Sequence, residues 1–158
     1  MNPSNQEYSV RRYMRAMTII VVYMYELFNK KLNEKEIFEL DIFNDLFDYN
    51  KLKTKDKNKI SQEQARIITT IEKNYDLFKK MIIKYIREDW SWDRLDPLIR
   101  AILLCASVEL WKLDIGIVSN EYVEITKDFI PDDKSYKFVN KMIDNIGKEY
   151  NEFKIKNN

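Results

Sequence analysis

Three arginines near the N-terminus are the residues of this chain best suited to binding chemistry. Arg11, Arg12 and Arg15 lie within about one turn of a predicted helix, so their side chains share a face. A guanidinium group offers a planar fork of donors that suits phosphate oxygens, and it also stacks on nucleic-acid bases. The cluster therefore predicts contact with RNA, while a solvated helix start is the alternative. Cations near a helix N-terminus oppose the helix dipole, which weakly favours a functional reason for them.

A second basic segment lies further along the chain. Residues 51–59 contain five lysines and one aspartate, and they follow an acidic stretch over residues 32–50. This lysine run is either a solvated loop or a further contact for RNA phosphates. The net charge is only +1, so the overall charge identifies no partner.

The composition argues against catalysis. Histidine is absent, which removes the commonest general base and the commonest zinc ligand, and no glycine-rich phosphate loop is present. Cys105 is the only cysteine and lies in an apolar helical run, where a thiol is usually a small core residue. We therefore expect no enzyme activity, no metal and no cofactor. The lack of a disulfide framework fits a reducing cytoplasm, and the apolar run over residues 17–24 is too short to span a membrane.

The elements that position these residues are predicted to be helices. The chain has 158 residues, two glycines and three prolines, which favours a single all-α domain over turn-rich β architectures. Residues 1–7 and 151–158 are expected to be flexible tails of this domain, 1–158. The apolar spacing predicts six to seven helices: 8–30, a short acidic helix from Asn33, a helix from the capping-box pattern of Ser61 and Gln64 to Tyr85, a helix from Leu95 that Gly116 ends, 118–129, and 135–150.

Three motifs occur in a characteristic order. They are Arg11, Arg12, Arg15 and Tyr23; then Arg100, Ala101, Ile102, Leu103, Ala106, Glu109 and Leu110; then Asn120, Glu121, Glu124 and Lys127, followed by Lys137, Phe138, Val139, Asn140 and Asp144. With this order the chain resembles the NusB family of bacterial transcription antitermination factors over residues 8–31 and 90–146. It departs from the family at Leu104, where a second arginine is usual, at Val108, where tyrosine is usual, and at Lys141, where glycine is usual.

The resemblance implies a NusB-like fold of two small helical subdomains and a function in antitermination. In the family the arginine-rich start binds box A of nascent ribosomal RNA, and the tyrosine at the position of Tyr23 belongs to that surface. Lys137 and Phe138 offer a cation and a ring for stacking, although Phe138 is equally suited to the core. Glu109, a charge within an apolar run, needs a partner, which we expect to be Lys127 or Lys137.

The resemblance also implies partners. The family pairs with NusE, a ribosomal protein of the small subunit, and acts with RNA polymerase on ribosomal RNA operons. By resemblance, the NusE surface is expected around Asp93, Ile99 and Leu103. Some family members self-associate and others do not, so a homodimer is left open.

Two alternative functions are also considered. The same fold occurs as the RNA-binding domain of ribosomal RNA cytosine methyltransferases, but the catalytic domain that such enzymes carry is not seen in this sequence. The other alternative is a helical protein-interaction module without RNA binding, against which the three arginines argue mildly.

Overall fold

The structure, a computed structural model, describes residues 3–28 and 57–157. Within these ranges it is all-helical, with six α-helices and no strand, which confirms the predicted fold class. The elements in chain order are α1 (Pro3–Phe28), α2 (Lys57–Lys73), α3 (Tyr75–Lys84), a short 3₁₀ turn (Trp92–Arg94), α4 (Pro97–Glu109), α5 (Ile115–Phe129) and α6 (Asp133–Lys156).

Helix α4 occupies the centre of the fold. It begins cleanly because the Asp96 side chain accepts a hydrogen bond from the Leu98 amide at 2.7 Å, and Pro97 supplies a preset φ at the first helical position. Residues 101–106 are all buried, so the helix is apolar on every side and is covered on every side. Helices α1, α2 and α6 pack against it.

Helix α1 confirms the helix predicted over 8–30, although it begins earlier, at Pro3. Its central β-branched run, which taken alone also fits a buried strand, is helical, and Ile19, Val21 and Val22 are buried. These residues enter the core because α1 packs against both α2 and α4. The burial compensates for the modest helix propensity of β-branched side chains.

Helices α5 and α6 form a closely packed pair that carries the third motif. The Asp132 side chain caps α6 by accepting from the Ser135 amide at 2.6 Å, and this hydrogen bond lowers the pKa of Asp132. Helix α6 then continues to Lys156, so the segment predicted as a C-terminal tail is helical over most of its length. The six described helices share one continuous core.

Three predicted helix limits are wrong. Helix α2 begins at Lys57 and not at Ser61, and Gln64 is buried, with its Oε1 3.0 Å from the Thr18 hydroxyl. The long helix predicted to reach Tyr85 is divided at Asn74. Gly116 ends no helix: α4 stops at Glu109, and Gly116 lies in the first turn of α5.

Two sequence predictions lie outside the described residues. They are the acidic helix from Asn33 and the first part of the lysine run, residues 51–56. Among the helices that are described, none is both long enough and apolar enough to cross a bilayer. Residues 3–28 and 57–157 also contain no cluster of three or more potential metal-binding side chains.

Candidate nucleic-acid interface

Arg15 is the centre of a buried polar network that joins α1 to α4 and α5. Its Nε lies 2.9 Å from Glu109 Oε2 and its Nη2 lies 3.1 Å from Glu109 Oε1, so the pair is bidentate. The Tyr122 hydroxyl donates to the same carboxylate, and Glu121 Oε2 lies 3.9 Å from Arg15 Nη1. Only 8% of Arg15 and 9% of Glu109 is exposed, so the pair is shielded from solvent.

The network shifts the pKa values of the groups within it. Burial alone would lower the pKa of Arg15, but the hydrogen bonds and charge of Glu109 outweigh it and raise that pKa. Burial, together with the negative charge of Glu109, raises the pKa of the Tyr122 hydroxyl and of the Cys105 thiol well above their usual values. Arg15 is therefore firmly charged, whereas Tyr122 and Cys105 are neutral.

Arg12 and Arg11 lie closer to the surface and also meet glutamates. Arg12 donates from Nε and Nη2 to the buried Glu121 at 2.9 and 3.2 Å, and Arg11 donates from Nη1 to Glu63 of α2 at 3.0 Å. The exposed fractions of the Arg12 and Arg11 side chains are 35% and 29%. The three predicted arginines thus share one side of α1, but only these two face solvent appreciably.

The partner predicted for Glu109 is wrong. The structure pairs Glu109 with Arg15, whereas Lys127 pairs with Glu124 at 3.4 Å and Lys137 is exposed. The reason is that the Glu109 side chain lies on the face of α4 that packs against α1, and the sequence motif does not specify which helix covers that face. Arg15 and Glu109 are separated by 94 positions in the chain.

The remaining predicted RNA contacts lie on α1 and α6. Tyr23 is half-buried against the core and follows Arg12 by about three helical turns, roughly 16 Å along the same face of α1. Lys137 is exposed, and Phe138 is half-buried against the core, in the first turns of α6. Among the described contacts, no hydrogen bond or ion pair links Lys137 to the arginine cluster.

Two of the three predicted partner contacts are core residues. Ile99 and Leu103 are buried in α4, whereas Asp93 is exposed in the 3₁₀ turn that precedes it. Leu103 lies on a helix that is covered on every side, so neither its side chain nor that of Ile99 can form a surface by itself. Of the three, only Asp93 is available for direct contact.

A second polar network was not foreseen from the sequence. Glu26 of α1 lies 3.1 Å from Arg100 Nε and accepts from the Tyr75 hydroxyl at 2.7 Å, while Arg100 also donates to the Trp92 carbonyl at 3.1 Å. Burial and the hydrogen bond to Glu26 raise the pKa of Tyr75. This network fixes the end of α1 to α3 and to the 3₁₀ turn. A lone glutamate on a predicted helix gives no signal of it.

The known sequences that this chain resembles point to one family. A profile described as the NusB family matches residues 12–148. The chain is 34% identical, over 152 residues, to a transcription antitermination protein NusB of Buchnera aphidicola, covering 94% of this chain and 98% of that one. It is 39% identical to the NusB of Fusobacterium nucleatum over 83 residues, which are 51% of this chain and about half, 53%, of that relative.

Solved structures agree. A structure of T. maritima NusB superposes with a TM-score of 0.69 at 28% identity and covers 88% of this chain and 91% of that one. A chain in a crystal structure of a plectonemic RNA supercoil superposes with a TM-score of 0.67 at 24% identity, over 89% of this chain and 95% of that one, and shows likeness of fold alone. The family consists of antitermination factors and not of enzymes, which confirms the expectation of no catalysis. The chain belongs to the NusB family of transcription antitermination proteins.

Proposed function

We propose that this protein binds box A of nascent ribosomal RNA together with NusE, in the cytoplasm, as part of an RNA polymerase antitermination complex. Membership of the family supports this assignment. The observation that carries the proposal is the presentation of Arg11 and Arg12 at the surface of α1, each with its guanidinium held by a glutamate.

The geometry suits recognition of phosphate. Glu121 is buried and fixed on α5, so the Arg12 side chain is held in one orientation while about a third of it stays exposed. A cation that is ordered in advance loses less conformational entropy when a ligand binds. A guanidinium group has five N–H donors, so a carboxylate that accepts from Nε and Nη2 can share it with phosphate oxygens.

The predicted RNA-binding residues therefore have different roles in this proposal. Arg11 and Arg12 make the charge-assisted contacts, and Arg15 supports them by fixing α1 against α4 and α5. Lys137 and Phe138 extend the surface along α6 with an exposed cation and a half-buried ring. Tyr23 is placed on the same face of α1 as Arg12 and would meet the RNA further along it.

NusE is the proposed protein partner, at the surface around Asp93. Trp90, Ser91 and Arg94 are exposed near Asp93 in the chain. Ile99 and Leu103 contribute from beneath by holding α4 in the core. Leu104 is also buried, so the departure from the family's arginine lies in the core and not on this surface. A pull-down with NusE from the same organism that yields no complex at micromolar concentrations would remove this partner.

The experiment that tests the RNA site is a titration of box A RNA, with and without NusE, using an Arg11→Gln/Arg12→Gln variant. Removing each charge-assisted hydrogen bond to phosphate should weaken binding by roughly 1–3 kcal/mol. The dependence of affinity on salt should become shallower by about 0.7 for each phosphate of single-stranded RNA that is no longer neutralised. Arg87→Gln is the matched control, because Arg87 is exposed on the loop after α3 and pairs with Asp89 there.

The result decides between the proposal and a helical interaction module. If the double variant binds box A RNA with the affinity and salt slope of the parent, the glutamate pairs of Arg11 and Arg12 serve the fold alone. The RNA contact would then be sought at the lysine run 51–59. Sedimentation of the free protein, measured alongside, shows whether it forms a homodimer.

A further inference from the structure

A wide groove adjoins the arginine cluster and extends beyond the proposed box A contacts. It has a volume of about 980 Å³ and is lined by residues from all six helices and from the α4–α5 turn. Arg11 and Arg15 contribute to its lining, and so do Trp111 and Phe153. The volume is at the upper end of the roughly 300–1,000 Å³ typical of small-molecule sites, which is enough for an extended ligand.

Two large rings in this groove are solvent-exposed. Trp111 is 46% exposed and Phe153 is 54% exposed. Both are large apolar side chains, whose burial would stabilise the protein. Their ring centroids are 5.9 Å apart, and Tyr150 packs edge-on behind Trp111 at 5.4 Å. The rings thus form one ordered aromatic surface and are not scattered singly.

Cations surround this aromatic surface. The Lys154 Nζ lies 4.8 Å from the centroid of Trp111 and donates to the Trp111 backbone carbonyl, which holds the tryptophan in place. Lys112 follows Trp111 directly and is exposed. In the described part of the chain, neither lysine forms an ion pair. The four glutamates that line the groove are already engaged by other cations: Glu63 by Arg11, Glu109 by Arg15, Glu121 by Arg12 and Glu149 by Lys84.

We propose that Trp111 and Phe153, with Lys112 and Lys154, form a stacking platform for unpaired RNA bases that flank box A. This inference rests on the proposed function, because RNA held by Arg11 would enter the same groove. Exposed rings beside cations that hold no carboxylate are the combination with which proteins hold single-stranded nucleic acid, since every base has a face that stacks and every nucleotide carries a phosphate. An apolar segment of a protein would satisfy the rings but would leave both lysines without an anionic partner.

The test compares two single-stranded RNAs, box A alone and box A extended on both sides by several unpaired nucleotides. The parent should bind the extended RNA more tightly. Trp111→Leu and Phe153→Leu keep apolar bulk but remove the stacking ring. Each should weaken binding of the extended RNA by roughly 5- to 150-fold, the range for loss of one base–aromatic stack, and should leave binding of box A alone unchanged. Trp111→Phe should restore much of the affinity that Trp111→Leu removes.

Ile83→Ala is the control, because Ile83 is an apolar side chain that is 41% exposed but lies outside the groove. If the parent binds neither RNA, the proposed function fails and the platform fails with it. If the parent binds box A but Trp111→Leu binds both RNAs as the parent does, the platform is overturned while the proposed function stands. If that variant instead loses NusE in a pull-down with RNA binding intact, the groove holds protein and the inference is wrong.

Discussion

Replacing Glu109 with glutamine should destabilise this protein more than any single change to its surface ion pairs. The carboxylate of Glu109 receives two guanidinium nitrogens of Arg15 and the hydroxyl of Tyr122 in a site with little exposure to water. Glutamine keeps the shape and one acceptor oxygen but removes the charge. Arg15 would remain as a buried cation whose nearest carboxylate is Glu121, at 3.9 Å.

The magnitude follows from the burial. Removing one partner of a buried ion pair costs about 3–5 kcal/mol, because the other charge stays desolvated without compensation. Glu121 retains part of the attraction, so we expect Glu109→Gln to lower the free energy of unfolding by about 3 kcal/mol. For a chain of this size that corresponds to a fall in melting temperature of roughly 6–12 °C.

Urea unfolding followed by circular dichroism measures the effect, with Asp144→Asn as the matched control. Asp144 pairs with Lys148 on the exposed face of α6, where an i,i+4 pair contributes about 0.3–0.5 kcal/mol. Arg15→Met combined with Glu109→Gln should be less unstable than the sum of the single variants by about 1 kcal/mol or more, since the uncompensated charge is gone. A Glu109→Gln protein as stable as Asp144→Asn would refute the reasoning.

Two further predictions concern packing and alkaline pH. Gly116→Ala should stabilise the protein by about 0.4–1 kcal/mol, because a Cβ at this position meets nothing within 4 Å. Gly147→Ala should be less stable than Gly116→Ala by about 1–3 kcal/mol, because its Cβ would lie 2.4 Å from Ile115 Cγ1. Equal melting temperatures for the two alanine variants would contradict this. Burial raises the pKa of Tyr122 above its usual 10.0 in the folded state only, so its contribution to stability is complete below pH 10 and falls above it. Tyr122→Phe should therefore lower the free energy of unfolding by about 1–3 kcal/mol at pH 8, because the hydrogen bond to Glu109 is lost. Between pH 9 and 11, the urea midpoint of this variant should fall less steeply than that of the parent. Parallel declines of the two midpoints would contradict this.

Most of the helices could be predicted from the sequence because their apolar spacing repeats every three to four residues. The helices predicted over 118–129 and 135–150 differ from α5 and α6 mainly at their ends. The predicted helix ends were wrong where a residue typical of a helix end has another role in the structure. Gly116 suggested a break, but Asp114 lies at the N-cap position before it, so the glycine is in the first turn of α5. Gln64 suggested a capping box, but its side chain is buried beside Thr18.

The site was less predictable because it depends on contacts between distant parts of the chain. The spacing of Arg11, Arg12 and Arg15 correctly indicates a common side of α1, but it cannot tell which of them is buried. That depends on Glu109 and Glu121, which reach α1 from α4 and α5. A charged residue within the apolar run of α4 was the only sequence signal of the buried pair, and it did not identify the partner.

The burial of Arg15 also changes how the arginines can be tested. If all three arginines were solvated, replacing them together with alanine would leave the protein folded. In the structure, Arg15→Ala would leave Glu109 as a buried anion with Tyr122 as its one remaining donor among the described contacts. The triple variant would lose RNA binding through loss of the fold even if no arginine touched RNA. In the double variant, Arg12→Gln also removes the main partner of the buried Glu121, so its affinity is interpreted together with its melting temperature. Binding and stability separate best at Arg11, because its partner Glu63 is partly exposed. A loss of affinity in Arg11→Gln alone, at unchanged melting temperature, would report on the interface itself.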